Sequence, residues 1–136
     1  MRYITMTALL CLALIATEGT AQANGHPRVD RCRNIDWRKN ATQTARLNLC
    51  VARNFDVPGG PSHFNAVAVC ESGLRWWLRN PPYVGEFQHL ADQWPGRWMR
   101  WGRPVGVKER PFNALSAAVV TARMVRVVGW SPWACA

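Results

Sequence analysis

Glu71 is the residue best placed for chemistry, because it follows small and apolar residues and precedes two tryptophans in AVAVCESGLRWW (66–77). The chain carries 8 acidic residues against 17 lysines and arginines, so a carboxyl group in such surroundings stands out. The negative end of a helix and burial beside Trp76 or Trp77 would both favour its protonated form. A carboxyl group that keeps its proton near neutral pH can act as a general acid. A structural role as a helix cap or surface ion pair fits less well, because a carboxylate suits the opposite end of a helix.

The element that must position Glu71 is predicted to be a helix through HFNAVAVCESG (63–73). Ser62 has the side chain of an N-cap, and Gly73 stands where a helix would stop. The turn DVPGGP (56–61) precedes this helix and marks a boundary in the chain. Glu71 is therefore expected in the last turn of a buried helix.

The rest of the chain is predicted to be mostly helical. TQTARLNLCVARNF (42–55) has the spacing of a short amphipathic helix, and FNALSAAVVTARMVRVV (112–128) is apolar around most of its circumference, as in a central core helix. Two prolines at the start of RNPPYVGEFQH (79–89) exclude a helix there, and the residues that follow predict a small strand or hairpin. LADQWPGRWMRWG has helical spacing, which we expect Pro95 to interrupt.

The N-terminus has the features of an export signal. Residues 1–23 combine an early positive charge, the apolar run ITMTALLCLALIA and the cleavage sequence AQA, so we expect cleavage near Ala23 and a secreted or periplasmic protein. The apolar run is short for a bilayer span and no other stretch approaches its length, so no transmembrane segment is expected. Cys11 would leave with the signal; a lipoprotein anchor is the alternative, disfavoured by the bulky residue before it. We divide the remainder into an N-terminal helical arm (24–60), irregular at its start, and one main domain (61–136).

Four cysteines remain after signal removal, and an even number in an exported chain predicts two disulfides. Three pairings are possible, and proximity along the chain favours Cys32–Cys50 and Cys70–Cys135. A metal site is disfavoured because there is no CxxC pair and the three histidines are scattered. We expect neither a metal nor another cofactor.

The net charge of +9 outside the cytosol predicts an anionic partner, whether a cell-wall polymer, a membrane surface or nucleic acid. A basic surface without a specific partner is the alternative. Tryptophans and arginines alternate over 94–103, which suits carboxylate- or phosphate-bearing polymers and, equally, a membrane interface. Such a segment can also stack on nucleic-acid bases, but export argues against a nucleic-acid partner. We expect the protein to be a monomer.

Three segments, in order over residues 63–135, resemble the resuscitation-promoting factors and related lysozyme-like transglycosylase domains. CESGLRW resembles their catalytic segment, in which a cysteine precedes the catalytic glutamate and Ser-Gly and a tryptophan follow. YVGEFQHLADQW is similar to the next block, with Tyr83, Gly85, Gln88 and Trp94 at the family's spacing. GWSPWAC resembles the closing motif, whose cysteine bonds to the one beside the catalytic glutamate. The chain departs from the family in its paired prolines, in Glu86, and in an arm over 24–60 without a counterpart.

The resemblance implies an α+β fold, mostly α: a small lysozyme-like domain with a short β-hairpin beside the catalytic helix. It also implies roles. Glu71 would protonate the glycosidic oxygen, and Gln88 would hydrogen-bond a substrate N-acetyl group or the backbone across the cleft. Tyr83, Trp94 and Trp76 would contact sugar. Core packing is the alternative for each tryptophan, and a structural amide that ties the hairpin is the alternative for Gln88.

A second carboxylate, which most glycosidases need, is harder to assign. Asp92 is the candidate because it lies four residues after Gln88 and would share its helix face; a solvated charge at the start of a helix is the alternative. Glu86 is the other acid nearby. The resemblance implies a mechanism with a single glutamate, assisted by the substrate's own N-acetyl group. We therefore expect an exported peptidoglycan-cleaving glycosidase, of the lytic transglycosylase or muramidase type. The alternative is a non-catalytic, cationic, Trp-rich protein that binds cell wall or membrane on a lysozyme-like scaffold.

Overall fold

The structure is a computed structural model that describes residues 25–136. The predicted signal peptide, its cleavage near Ala23 and Cys11 lie outside these residues. The helices are α1 (Pro27–Asp30), α2 (Ala41–Asn54), α3 (Gly60–Ser72), α4 (Trp94–Arg97) and α5 (Ala114–Val128), and the strands are β1 (Arg79–Asn80), β2 (Tyr83–Val84) and β3 (His89–Leu90). Helices therefore dominate a fold that also holds one small sheet, and the predicted α+β class, mostly α, is confirmed at this level.

Helix α5 forms the centre of the core, as its apolar circumference predicts. Every residue from Ala114 to Ala122 is buried. Asn113 caps the helix, its side chain accepting a hydrogen bond from the Ser116 N–H at 3.0 Å, and Gly129 ends it. A helix that is buried on all sides needs neighbours on all sides, and α2 packs against both α5 and α3.

The N-terminal arm belongs to the same hydrophobic core as the rest of the chain. Val29 and Trp37 of the arm are buried in one cluster with Phe64 of α3 and Val119 of α5. The start of the arm, predicted to be irregular, contains the short helix α1. The two parts of the chain on either side of residue 60 thus bury their apolar side chains together.

The sheet is antiparallel in the order β1-β2-β3. Arg79 pairs with Val84, and Tyr83 pairs with Leu90. The predicted hairpin is present, and β3 adds a third strand to it. The chain turns at the two prolines between β1 and β2 and again over residues 85–88 between β2 and β3.

Two local predictions were wrong, and proline is the reason in both. Helix α3 begins at Gly60 rather than after Ser62, because Gly59 has a positive φ of 84° and Pro61 lies in the first turn, where a missing N–H is not needed. Ser62 is therefore inside the helix and does not cap it. Pro95 lies in the first turn of α4 for the same reason, so it starts a helix instead of interrupting one. A π-helical turn (Trp98–Gly102) and a 3₁₀ turn (Arg103–Val105) continue from α4.

Both predicted disulfides are present. Cys32–Cys50 lies within the arm and joins the segment after α1 to α2 with a Cα–Cα distance of 5.9 Å, and Cys70–Cys135 joins α3 to the C-terminal tail with a Cα–Cα distance of 5.8 Å. Each distance is typical of a disulfide. Among residues 25–136 no helix is long and apolar enough to cross a bilayer.

Candidate active site

Glu71 lies in the last turn of α3, as predicted. Helix α3 ends at Ser72, and Gly73 follows in the left-handed conformation with φ of 64°. The Glu71 side chain is half-buried, and its Oε1 accepts a hydrogen bond from the Cys135 N–H at 3.3 Å. The disulfide between the neighbouring Cys70 and Cys135 holds that donor beside the carboxylate.

Glu71 lines a cavity of about 250 Å³. We call it the Glu71 cavity, and its lining residues are Glu71, Asn80, Tyr83, Gln88, Pro132, Trp133 and Ala134. One wall is therefore the end of α3, a second is the sheet, and a third is the C-terminal tail. Of these lining residues, Glu71 alone carries a carboxylate.

Gln88 is held in place by its own loop. Its Nε2 donates to the Gly85 carbonyl at 2.7 Å, so the amide does tie the turn between β2 and β3. Its backbone has φ of +46°, a conformation that non-glycine residues adopt rarely and often at functional sites. Its Oε1 is buried and has no hydrogen-bond partner within residues 25–136. Gln88 thus combines a structural donor with a buried acceptor that has no partner among the described residues.

Gly85 makes the Gln88 loop possible. Its φ is +75°, and a Cβ at this position would lie 2.3 Å from the carbonyl oxygen of Pro111. The loop therefore packs directly on the backbone that precedes α5. Only glycine combines this conformation with this contact.

The C-terminal tail is fixed by tryptophan contacts as well as by the disulfide. The Trp133 Nε1 donates to the Phe87 carbonyl at 2.9 Å, and Trp133 is 6% exposed. Its ring packs edge-on against Trp130 with centroids 5.7 Å apart. The tail thereby joins the loop that carries Gln88 to the helix that carries Glu71.

Three of the six predicted catalytic or substrate-binding residues come together at one cavity, whereas Trp94, Trp76 and Asp92 lie elsewhere. Glu71, Tyr83 and Gln88 line the Glu71 cavity. Trp94 is 3% exposed and packs against His89 in the core, so it does not reach the cavity. Trp76 packs edge-on against Trp37 with centroids 4.9 Å apart, and it too lies outside the cavity lining.

Asp92, the candidate second carboxylate, is exposed and lines a different cavity, together with Gln93, Gly96, Arg97, Arg100 and Trp101. The structure does not bring it to Glu71. Asp92 therefore matches the alternative assigned to it, a solvated charge just before the start of a helix, here α4.

Glu86 is fully buried. Its Oε1 accepts a hydrogen bond from the Asn48 Nδ2 at 2.5 Å. Burial raises the pKa of Glu86 from 4.5 to about 8, and the hydrogen bond from Asn48 lowers it by less. Glu86 is thus protonated at neutral pH, and it is not among the residues that line the Glu71 cavity. It is a buried neutral group that joins its loop to α2, a role that the sequence analysis missed.

His89 is the other buried titratable residue. Its Nδ1 accepts from the Arg97 Nη1 at 2.8 Å, and its Nε2 lies 2.9 Å from the Thr121 hydroxyl. Burial, followed by the nearby Arg97 charge, lowers the pKa of His89 from 6.5 to about 3. The imidazole is therefore neutral and joins β3 to α4 and α5. In the part of the chain that the structure describes, no group of three or more His, Cys, Asp or Glu side chains could hold a metal ion.

Sequence reasoning also missed Asn80, Pro132, Trp133 and Ala134 as lining residues. The predicted Cys70–Cys135 bond was a usable signal for the last three, since it places the tail next to the residue after Cys70. Asn80 had no comparable signal, because its position depends on the register of β1 against β2.

The chain matches no protein-family model, and neither a curated protein nor a solved structure is detectably similar to it.

Proposed function

We propose that this protein is an exported glycosidase that cleaves peptidoglycan on a lysozyme-like scaffold, with Glu71 as both acid and base. The observation that carries the proposal is the position of Glu71 as the one carboxylate that lines a cavity built from α3, the sheet and the tail. The sequence motifs that resemble lysozyme-like transglycosylases supply the lining residues Glu71, Tyr83, Gln88 and Trp133. Two disulfides fit export to an oxidising compartment.

The reaction would begin with proton transfer. Glu71 would give a proton to the oxygen between N-acetylmuramic acid and N-acetylglucosamine, and the bond from that oxygen to C1 would break. Gln88 lines the cavity, and its amide would hydrogen-bond an N-acetyl group once a side-chain movement exposes Oε1, which is buried and has no partner within residues 25–136. Tyr83 is 42% exposed and lines the cavity, where its ring would contact a sugar.

The second step would return a proton to Glu71. The lining contains no second carboxylate that could act as the nucleophile or as the base for water. The Glu71 carboxylate can instead take the proton of the sugar's own 6-hydroxyl, whose oxygen then bonds to C1. The product carries a 1,6-anhydro end, and the glutamate regains its proton for the next cycle.

The test combines a matched pair of variants with product analysis. Glu71→Gln should lower lysis of purified wall by about 10²–10⁴-fold or more, because glutamine keeps the shape but has no proton to give. Glu109→Gln is the control, since Glu109 is exposed and outside the Glu71 cavity. Mass spectrometry of wild-type digests should show muropeptides lighter by one water than hydrolysis products.

Two outcomes would contradict this mechanism. Near-normal lysis by Glu71→Gln would remove Glu71 as the acid. Digests with reducing ends only, together with loss of activity in Asp92→Asn, would replace the single-acid mechanism with a two-carboxylate one.

A second candidate function, non-catalytic binding to wall or membrane, is favoured by one surface. Trp101, Arg123, Arg126 and Val127 line a shallow cavity, and Val127 is 63% exposed. The Arg100 guanidinium lies over the Trp101 ring at 4.7 Å. Cations beside exposed apolar groups suit an anionic interface. If wild-type protein sediments with wall or anionic vesicles but releases no muropeptides, this function replaces the glycosidase.

A further inference from the structure

A second cavity, of about 230 Å³, lies between the N-terminal arm and the segment that leads into α5. We call it the arm cavity. Its polar lining residues are Arg33, Trp37, Arg38, Lys108, Asn113 and Ser116, and its apolar ones are Val107 and Leu115. It shares none of these with the Glu71 cavity, and its lining contains three cations and no carboxylate.

Arg33 connects the two sides of the arm cavity. Its Nε donates to Asp30 at 2.6 Å, and its Nη2 donates to the carbonyl of Gly106 across the cavity at 3.3 Å. Asp30 therefore offsets the charge of Arg33. The rest of the guanidinium remains available to a ligand, because arginine has five N–H donors.

Arg38 is ordered by an aromatic partner rather than by an acid. Its guanidinium carbon lies 3.9 Å from the centroid of the Trp37 ring. Trp37 is 6% exposed and is held edge-on by Trp76. Within residues 25–136 neither Arg38 nor Lys108 forms an ion pair. The Asp30 carboxylate offsets the charge of Arg33. The two remaining positive charges of the cavity, on Arg38 and Lys108, have no carboxylate partner within residues 25–136.

The size and charge of the arm cavity define its ligand. Pockets for drug-sized molecules occupy about 300–1,000 Å³, so this one suits a single small group. Two uncompensated cations favour an anion with more than one charged oxygen, and arginine beside lysine is a combination that binds phosphate. We infer that the arm cavity binds a phosphate group of a phosphate-bearing polymer. That the polymer belongs to the cell wall rests on the proposed function, whereas the phosphate site does not. The arm would then hold the enzyme on its substrate.

The test uses two double variants with equal loss of charge. Arg38→Gln/Lys108→Gln removes both uncompensated cations. Arg46→Gln/Arg53→Gln is the control, because both arginines are exposed on α2 and outside the arm cavity. Inorganic phosphate and a polyol-phosphate polymer are titrated into each full-length mature protein at constant ionic strength, and amide chemical shifts are followed by NMR. We expect shifts at Lys108 and Ser116, at least tenfold weaker binding in the first variant, and less than twofold change in the control.

Several results would overturn the inference. Equal weakening in both double variants would mean that the general surface charge binds the anion. Equal affinity for polyglutamate would remove the preference for phosphate, and binding to phospholipid vesicles but not to the polymer would assign a lipid in its place.

A lysis assay separates this inference from the proposed function. On wall stripped of phosphate polymers, both double variants should lyse at the wild-type rate, whereas on intact wall the first should lyse more slowly. If neither the wild type nor either double variant lyses any wall, the glycosidase proposal fails. The phosphate titration still shows whether the arm cavity binds phosphate.

Discussion

Replacing Glu86 with glutamine should change how the stability of the fold depends on pH. Glu86 is 0% exposed, and burial raises its pKa from 4.5 to about 8. Between these two values the folded protein holds a proton on Glu86 and the unfolded chain does not. Stability therefore falls as pH rises through this interval. Glutamine removes the titration and keeps a side chain of the same shape.

The expected change in the free energy of unfolding depends on the two residues with shifted pKa values, Glu86 and His89. Each pKa unit corresponds to about 1.4 kcal/mol, so the shift of Glu86 amounts to about 5 kcal/mol of unfolding free energy over its full range. His89 acts in the opposite direction, because burial lowers its pKa from 6.5 to about 3 and stability rises with pH between those values. The wild type should then be most stable on a plateau between about pH 4.5 and 6.5, where the two slopes offset each other, and lose about 2 kcal/mol by pH 8. The Glu86→Gln variant should instead gain about 3 kcal/mol across the plateau interval and stay level above it.

Urea denaturation with the disulfides intact, at closely spaced pH values and constant ionic strength, measures both curves. Glu109→Gln is the matched control, because Glu109 is exposed and its replacement should leave the shape of the wild-type curve unchanged. The reasoning is refuted if the wild type and Glu86→Gln remain parallel, with a difference that changes by less than about 1 kcal/mol from pH 5 to pH 8. In that case Glu86 would not be a desolvated neutral acid.

Two further substitutions test the loop and the tail around the Glu71 cavity. Gly85→Ala should destabilise the fold by more than the roughly 1–2 kcal/mol of a left-handed alanine, since its Cβ also meets the Pro111 carbonyl at 2.3 Å. Gly96→Ala, with nothing within 4 Å of its added Cβ, should be neutral or stabilising, and urea midpoints compare the two. Trp133→Phe leaves the buried Phe87 carbonyl without its donor and should cost about 1–3 kcal/mol in urea titrations, with a parallel loss of wall lysis. Full stability in Trp133→Phe would show that this hydrogen bond does not hold the tail.

The large features of the fold could be predicted because they depend on local pattern. Helix α5 is apolar around most of its circumference and ends before Gly129, so its existence, its end and its central position followed from the residues themselves, whereas its start at Ala114 depends on the Asn113 cap. The disulfides followed from cysteine number and spacing. The C-terminal end of α3, and with it the position of Glu71, followed from Gly73.

The remaining features depend on tertiary contacts that no local pattern contains. Trp94 occurs at a spacing that suggested a cleft residue, but the turn into α4 directs it against His89 in the core. Glu86 follows a glycine in a polar-looking loop, and only the packing of that loop against Asn48 of α2 buries it. A charged residue type is a poor signal for burial, since a carboxyl group that takes up a proton can be buried at a much lower cost than a carboxylate.

The arrangement of acids restricts what the Glu71 cavity can do to a glycosidic bond. Most inverting and retaining glycosidases use a second carboxylate across the cleft from the acid. Glu86 is committed to Asn48 and protonated at neutral pH, and Asp92 lines a cavity beside Arg97 and Arg100. Under the proposed function, the reaction would therefore draw its nucleophile from the substrate. The Cys135 N–H engages Oε1 of Glu71, which leaves the other oxygen of the carboxyl group for proton transfer. One carboxyl group can give a proton and then take one back at the same position. A mechanism in which the sugar's own 6-hydroxyl is the nucleophile therefore needs a single acid, and the lining of the Glu71 cavity contains a single acid.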